Sequence, residues 1–523
     1  MYRAKVEKVL ADELGAPVKL GGLSVSILSL GATLSDLEIG AASPQTGNRP
    51  LATIPSLSAW VTWATISGDE MRLRGLDLSS PDFHLACDET GRSTLAQFLA
   101  GMPKGKPREK PLEIDRLRLF DPQATLYVPK QILCPGGQAN PGPVTVKLRA
   151  VDVAGLALPA PGKPLPKETV IEIELTELAV RSPIEPGPKY EVPAEAGLPI
   201  EEGIALGLAR AKLIVPASLE EPLRIEGALL QALKVRDVLL GPDEADTLSR
   251  IQAARANVLK APPSDSSAPG VQLGNGGVIV ADLKVEGSEL QIDGPDASGA
   301  CAWHRFTEFK IDLQRIGFGP GAETSASAPG LLKIESPSSS SEGEGRLLVD
   351  WNAYTGAWPN SSFEQKFELS GVPLTPFHSR VYRAAKLGVS KGHLDTEFAG
   401  PVKEGKIEWD GSITISKDTA FTGEGFTSDV KKFVAKAATG EPLKTFRIRG
   451  TLAKPNPIPP DMVAGMVFNV LKDAMAGGIT GVFESFGEGM GAAIEQGTRE
   501  AEKLIKKIPG IGGLFGAEDE KTK

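Results

Sequence analysis

The sequence predicts a mainly β protein, built from many antiparallel strands that are apolar on one side. Three observations lead there. From Leu23 onward, apolar residues alternate with small or polar ones in short runs, the period-two pattern of strands with one face covered and one face wet. The chain carries 58 Gly and 42 Pro but only 6% aromatics, so turns punctuate short apolar segments. Most gaps between runs are shorter than the dozen residues that a parallel crossover needs, which makes the sheet largely antiparallel.

Taken in order, Ala4 to Leu14 reads as a short helix with Val6, Val9, Leu10 and Leu14 on one face. Strand patterns follow at Leu23 to Ile27, at Leu34 to Ile39 and at Met71 to Leu78. Ile114 to Val128, Val144 to Val151, Val170 to Leu178, Ile204 to Val215 and Leu223 to Val235 continue the series. Val278 to Ile292, Phe309 to Phe318, Leu347 to Val349, Phe363 to Leu369, Ile407 to Ile415 and Phe446 to Leu452 complete it. Gly, Pro and Asp separate most of these runs.

Three stretches depart from the pattern. Residues 94–100 (TLAQFLA) follow a DETGRS turn and read as a short helix capped by Ser93 or Thr94. Residues 236–260 carry a helical stripe of Ala245, Leu248, Ile251 and Ala254, followed by a Ser/Pro/Gly linker to Gly276. A second, Ser-rich linker is expected from Ser325 to Gly345. After Pro459 the spacing becomes helical and amphipathic, with Val463, Val467, Val470 and Leu471 on one face. Either a membrane surface or the end of the sheet is a suitable partner for that tail. The expected organisation is therefore 1–101 as an N-terminal region and 112–235 as central strands. A helix and linker follow at 236–276, then a second strand region at 277–455 and the tail at 459–523.

Composition narrows the function. A net charge of -9 without a Lys/Arg cluster argues against a nucleic-acid partner, because phosphate binding needs concentrated positive charge. Cys87, Cys134 and Cys301 are scattered, with no zinc spacing. No run of 18 apolar residues exists, and Met1 to Leu10 mixes charges where a signal peptide would be apolar.

Chemistry-bearing motifs are sparse. The four histidines, His84, His304, His378 and His393, form no metal-binding spacing, and neither GxSxG nor GxxxxGK[ST] occurs. GNGG at Gly274 to Gly277 lacks the following helix of a phosphate cradle, and DETGRS lacks the ladder of a calcium loop. The expectation is a non-enzymatic protein with no metal and no cofactor. Half-apolar strands in this number must bury their apolar side by curling, by oligomerising or by binding something apolar.

The N-terminus adds a resemblance. RAKVEKVLADELGAPVKLGG and the later MRLRGLDLSSPDFHLACDETGRSTLAQFL resemble the start of AsmA-like proteins. Gly15, Pro17 and Val18 match that family's turn, and Gly75, Leu76, Leu78, Pro81, Phe83, Leu85, Asp88, Gly91 and Leu95 match its hairpin. LSGVPLTPFHSRVYRAAKLGVSKGHLDTEFAGPVKEGKIEWDGSITIS and FRIRGTLAKPNPIPP are similar to its later domain. The resemblance implies a long curved β-groove with an apolar interior, related to bridge-like lipid transfer proteins. It also implies a place in the bacterial periplasm, associated with the inner membrane. In such an arrangement either an anchoring helix precedes Met1 or the tail supplies the membrane contact.

The expected function is then binding of phospholipid or another acyl lipid, for phospholipid transport or outer-membrane homeostasis. Leu23, Val25, Ile27, Leu76, Leu78, Phe83, Leu85, Leu117 and Leu119 are the candidate lining, and Val463, Val467, Val470 and Leu471 the candidate membrane contact. The alternative is an assembly factor that offers sheet edges to outer-membrane proteins by strand addition.

Overall fold

A computed structural model describes residues 2–86, 110–127, 143–158, 167–181, 204–238, 277–296, 301–378, 388–422 and 444–458. A few single positions inside these ranges are excluded, and Thr94, Leu95, Phe98 and Thr439 are included. The tail residues Val463, Val467, Val470 and Leu471 lie outside the described residues, as do 239–276 and so most of the 236–260 helix.

Helix α1 (Tyr2–Leu14) opens the chain and stops at Gly15, whose φ of 60° supplies the left-handed residue that ends a helix, with Pro17 just beyond. Val6 and Leu10 pack on the sheet and Leu14 is buried, whereas Val9 is exposed and leaves the expected apolar stripe. Strands β1 (Val18–Ser26), β2 (Gly31–Ile39) and β3 (Ala52–Val61) form a meander, then a short helix α2 (Trp63–Ser67) turns the chain. Thr62 caps α2 by accepting from the Thr65 amide, and Gly68 at φ 84° closes it.

The following strands come in broken pairs. β4 (Met71–Ser79) and β5 (Asp82–Ala86) lie end to end beside β3. β6 (Leu112–Phe120) and β7 (Gln123–Tyr127) run parallel to them. β8 (Val144–Lys147) and β9 (Ala150–Leu158) return antiparallel, followed by β10 (Thr169–Arg181) and β11 (Ile204–Val215). β12 (Leu223–Gln231) and β13 (Lys234–Val238) complete this stretch, so Arg236 to Val238 are strand where a helix was expected.

The sheet then continues without a break. β14 (Val278–Pro295) runs parallel to β12 and β13, and β15 (Cys301–Phe318), β16 (Gly330–Ser340), β17 (Gly343–Thr355) and β18 (Ser362–Pro373) meander from it. Among the described residues, β19 (Gly388–Lys391) pairs only with β22 (Ala420–Thr422), in a separate small sheet. β20 (His393–Lys403), β21 (Lys406–Ile415), β23 (Lys444–Thr451) and β24 (Lys454–Ile458) extend the main sheet to its far edge.

The architecture is therefore one long mixed sheet with few short helices, in which neighbours in space follow neighbours in sequence. Among the described residues only two steps are parallel, and they coincide with the two longest gaps between consecutive strands, 87–111 and 239–277, because a parallel step must carry the chain back along a full strand length. The expected Ser-rich linker at Ser325 to Gly345 is instead mostly β16 and the start of β17. Leu332, Ile334, Ser336 and Ser338 alternate inward there, and Ser336 donates to the Thr307 carbonyl (2.8 Å), so small hydroxyl residues serve as core-facing strand positions. Within 94–100, Thr94, Leu95 and Phe98 are helical, but the Thr94 hydroxyl accepts from the Ala86 amide at the end of β5.

A seam of bulges crosses the strands. Left-handed residues stand at Asp36 in β2, at Ser80 between β4 and β5, at Asp121 between β6 and β7, and at Glu177 in β10. Ala232 between β12 and β13, Gly287 in β14 and Glu308 in β15 continue it. At each, the parity of the apolar residues changes: Ile171, Ile173 and Leu175 precede Glu177, and Leu178 and Val180 follow it. One inserted residue keeps both halves of the strand facing the same apolar side, and it bends the strand and sharpens its twist.

Candidate functional site

The residues that directly oppose one another in a sheet share a face, and the register traces two unbroken rows across this one. The first runs Val25, Ala32, Ala59, Leu76, Leu117, Val153, Ile173, Ala211 and Ala228. It continues through Leu283, Leu313 and Leu332 to Trp351 and Gln365. The second runs Leu23, Leu34, Leu57, Leu78, Leu119, Val151, Leu175, Ala209 and Leu230, then Val285, Ile311, Ile334, Val349, Phe367 and Phe398. A third, beyond the bulge seam, holds Ile39, Ala52, Phe83, Ala124, Val146 and Val180. The two long rows stay apolar up to Gln365.

The opposite face is a ladder of charge. Asp77, Arg118, Asp152, Glu174 and Arg210 are successive cross-strand partners, and Lys284, Asp312, Lys333, Asp350 and Lys366 continue farther on. Arg118 Nε reaches Asp77 at 2.9 Å and Arg210 Nε reaches Glu174 at 2.8 Å. These pairs are partly exposed, so each contributes on the order of 0.2–1 kcal/mol. Their larger consequence is to make a one-residue register slip expensive, since it would turn the charged set onto the apolar side.

Coverage of the apolar face differs along its length. Every residue of the first two rows from β1 to β12 is half-buried, except Val25, which is 67% exposed. From β14 onward nearly all are buried, Leu332 at 0% and Phe367 at 2% exposure. The buried section is filled by rings: Trp351 stacks on Phe363 (4.5 Å between centroids), Phe367 on Phe398 (4.5 Å) and Phe398 on Trp409 (5.4 Å). The turn Thr375–Phe377 after β18 folds back against β14 and β15 and covers that side.

At the other end Val6 and Leu10 of α1 cover Leu20, Leu37 and Ile54, and Leu95 and Phe98 pack with Leu14. Between these covers the nine strands β1, β2, β3, β4, β6, β9, β10, β11 and β12 present a partly open apolar strip. At about 4.8 Å per strand it is roughly 40 Å long, more than the about 30 Å hydrocarbon core of a bilayer.

Polar side chains are also buried in this section, Gln291, His304, Ser336 and Gln365 among them, and His304 is the titratable one. His304 is fully buried beside Phe306 (4.5 Å, edge to face), and neither ring nitrogen has a hydrogen-bond partner among the described residues. Burial alone pushes its pKa down to about 4, so the ring is neutral near pH 7. Tyr354, equally buried, donates to the Gly317 carbonyl (2.9 Å), and desolvation raises its pKa to about 12.

The structure brings the expected lining residues Leu23, Leu76, Leu78, Leu117 and Leu119 together in the two long rows, and Phe83 joins the third. Leu85, opposite Leu126, lies on the same side as Phe83. Ile27 does not join them: β1 ends at Ser26, and Ile27 sits 78% exposed in the turn that Leu30 closes at φ 49°. The same rows also contain Ala32, Ala59, Ala209, Ala211 and Ala228, which carry too little apolar area to register in a periodicity count. No protein-family model matches the chain, and a search among curated proteins returns no match.

Proposed function

We infer that the half-open strip from β1 to β12 binds the acyl chains of phospholipid or a similar lipid. The sheet coils along its bulge seam into an apolar groove of the AsmA-like kind. The observation that carries this reading is the pair of uninterrupted apolar rows, only half-buried over nine strands, with the charged ladder on the opposite face. Acyl chains laid there remove apolar area from water at about 25 cal/mol per Å², and head groups remain outside. The action is non-catalytic. Its setting is the bacterial envelope, at the periplasmic side of the inner membrane, in phospholipid transport or outer-membrane homeostasis.

The edges of the sheet speak against the strand-addition alternative. On β1 the Leu20 amide donates to Glu7 Oε1 (2.9 Å) and the Gly21 carbonyl accepts from Arg3 (3.2 Å), so α1 occupies the edge at Leu20 and Gly21. On β24, Pro455 and Pro457 lack the amides that an added strand would need.

Native mass spectrometry of the purified protein tests the reading. Co-purified phospholipid is expected on the wild type and on Glu174→Gln, with a severalfold loss on Leu117→Glu and Val153→Glu. A lipid-free wild type that takes up none from vesicles refutes it.

A further inference from the structure

Among the described residues, five of the eight large hydrophobic side chains that stand exposed gather at one corner of the sheet. Leu28 is 101% exposed, Ile27 78%, Trp63 69%, Val25 67% and Ile66 41%. They are neighbours because the Val61 amide donates to the Leu30 carbonyl (3.0 Å) and Gly31 opposes Trp60, which seats the start of α2 beside the tip of the β1–β2 hairpin.

The two chain segments that build this corner carry no charge, and Glu70, a carboxylate at its flank, accepts from the Thr62 hydroxyl (2.7 Å) at the start of α2. No Asp, Glu, Lys or Arg occurs from Leu20 to Ser35 or from Leu51 to Ser67, in a chain that is 24% charged. The polar face, which carries the ion-pair ladder from β4 onward, here presents Ser24, Thr33 and Ser58 instead. Thr33 and Ser58 satisfy each other through a 2.8 Å hydroxyl hydrogen bond. Both faces of the corner are thus cheap to desolvate, whereas the charged ladder beyond it is not.

We propose that this corner, with Ile27 and Leu28 at its tip and Trp63 at its flank, inserts into the interfacial layer of a lipid bilayer. The tip is convex and fully exposed, so it suits a deformable apolar medium better than a shaped pocket. Trp63 has the amphipathic ring that resides at headgroup level. Val25 belongs to both the exposed cluster and the first apolar row, so the corner is continuous with the strip. Resting on the acyl-chain reading above, the corner is the mouth through which lipid passes between bilayer and strip.

Flotation with vesicles of phosphatidylethanolamine and phosphatidylglycerol tests the proposal, using the full chain. The wild type floats, and the Ile27→Asn/Leu28→Asn variant loses about tenfold or more of its bound fraction, since two bulky aliphatic side chains no longer leave water. Leu28→Met floats like the wild type. A wild type that stays at the bottom, or equal flotation of wild type and double variant, overturns the proposal. Lipid content by native mass spectrometry is read in parallel. The double variant keeps its ability to hold acyl chains delivered from detergent micelles, so failure of the corner and failure of the strip give different results.

Discussion

The sheet from β1 to β12 and the sheet from β14 to β23 share one apolar face and one alternation, yet the second is one continuous packed core, whereas the first holds only small buried clusters, Leu20, Leu37 and Ile54 and then Leu73, Leu112, Ile114 and Leu158, and leaves its two long rows half-buried. In the first, the facing residues are aliphatic and often Ala, as at Ala32, Ala59, Ala209 and Ala211, and no described element covers the middle strands. In the second, Trp351, Phe363, Phe367 and Phe398 meet one another and the turn Thr375–Phe377 folds over β14 and β15. Alternation thus specifies that a strand has an apolar side. Side-chain bulk and returning segments decide whether that side closes on itself.

The largest expected effect lies in the closed section. Phe367→Ala removes a ring that is 2% exposed and stacked on Phe398, at a cost of about 3–5 kcal/mol, read as a fall in the urea midpoint. Leu117→Ala, its counterpart on the open strip, should cost about 1 kcal/mol, because its side chain is already partly in water. Equal losses for the two would erase the distinction between the sections.

Acid should act on the closed section next. His304 titrates near 4 in the fold and near 6.5 when unfolded, so the unfolded chain binds the extra proton between those values. Stability is therefore unaffected above pH 6.5 and declines as pH falls toward 4, by about 3 kcal/mol in all. The His304→Leu variant should show a flatter pH profile in that window, measured by thermal unfolding. An unchanged slope would assign the acid sensitivity elsewhere.

The smallest effect belongs to the charged ladder. Arg210→Gln leaves Glu174 without its partner on a surface where both are about half exposed, and should cost under about 1 kcal/mol, fading with added salt. A loss of several kcal/mol, independent of salt, would mean that this face is covered in solution.

Much of the strand content was legible because inward residues of one strand alternate by themselves: Leu76 and Leu78, or Leu117 and Leu119, reveal their face with no knowledge of a neighbour. The bulge seam was not, since Glu177 and Ala232 adopt left-handed backbone without the glycine that signals it. β16 was hidden for a related reason: Ser336 and Ser338 face inward, and a count of apolar residues reads them as linker. Val9 and Ile27 show the opposite error, apolar side chains that fit a stripe in sequence and stand in solvent in the fold.

The sequence by itself determined that this chain is a succession of one-sided strands, apolar against charged, because period-two alternation is a property of each strand alone. Only the tertiary structure decided that those sides align into two rows running from β1 to β18 and β20, and that β1 to β12 stay half open while β14 to β23 close. Register and coverage depend on partners distant in the chain, and no local pattern encodes which partner a strand will meet.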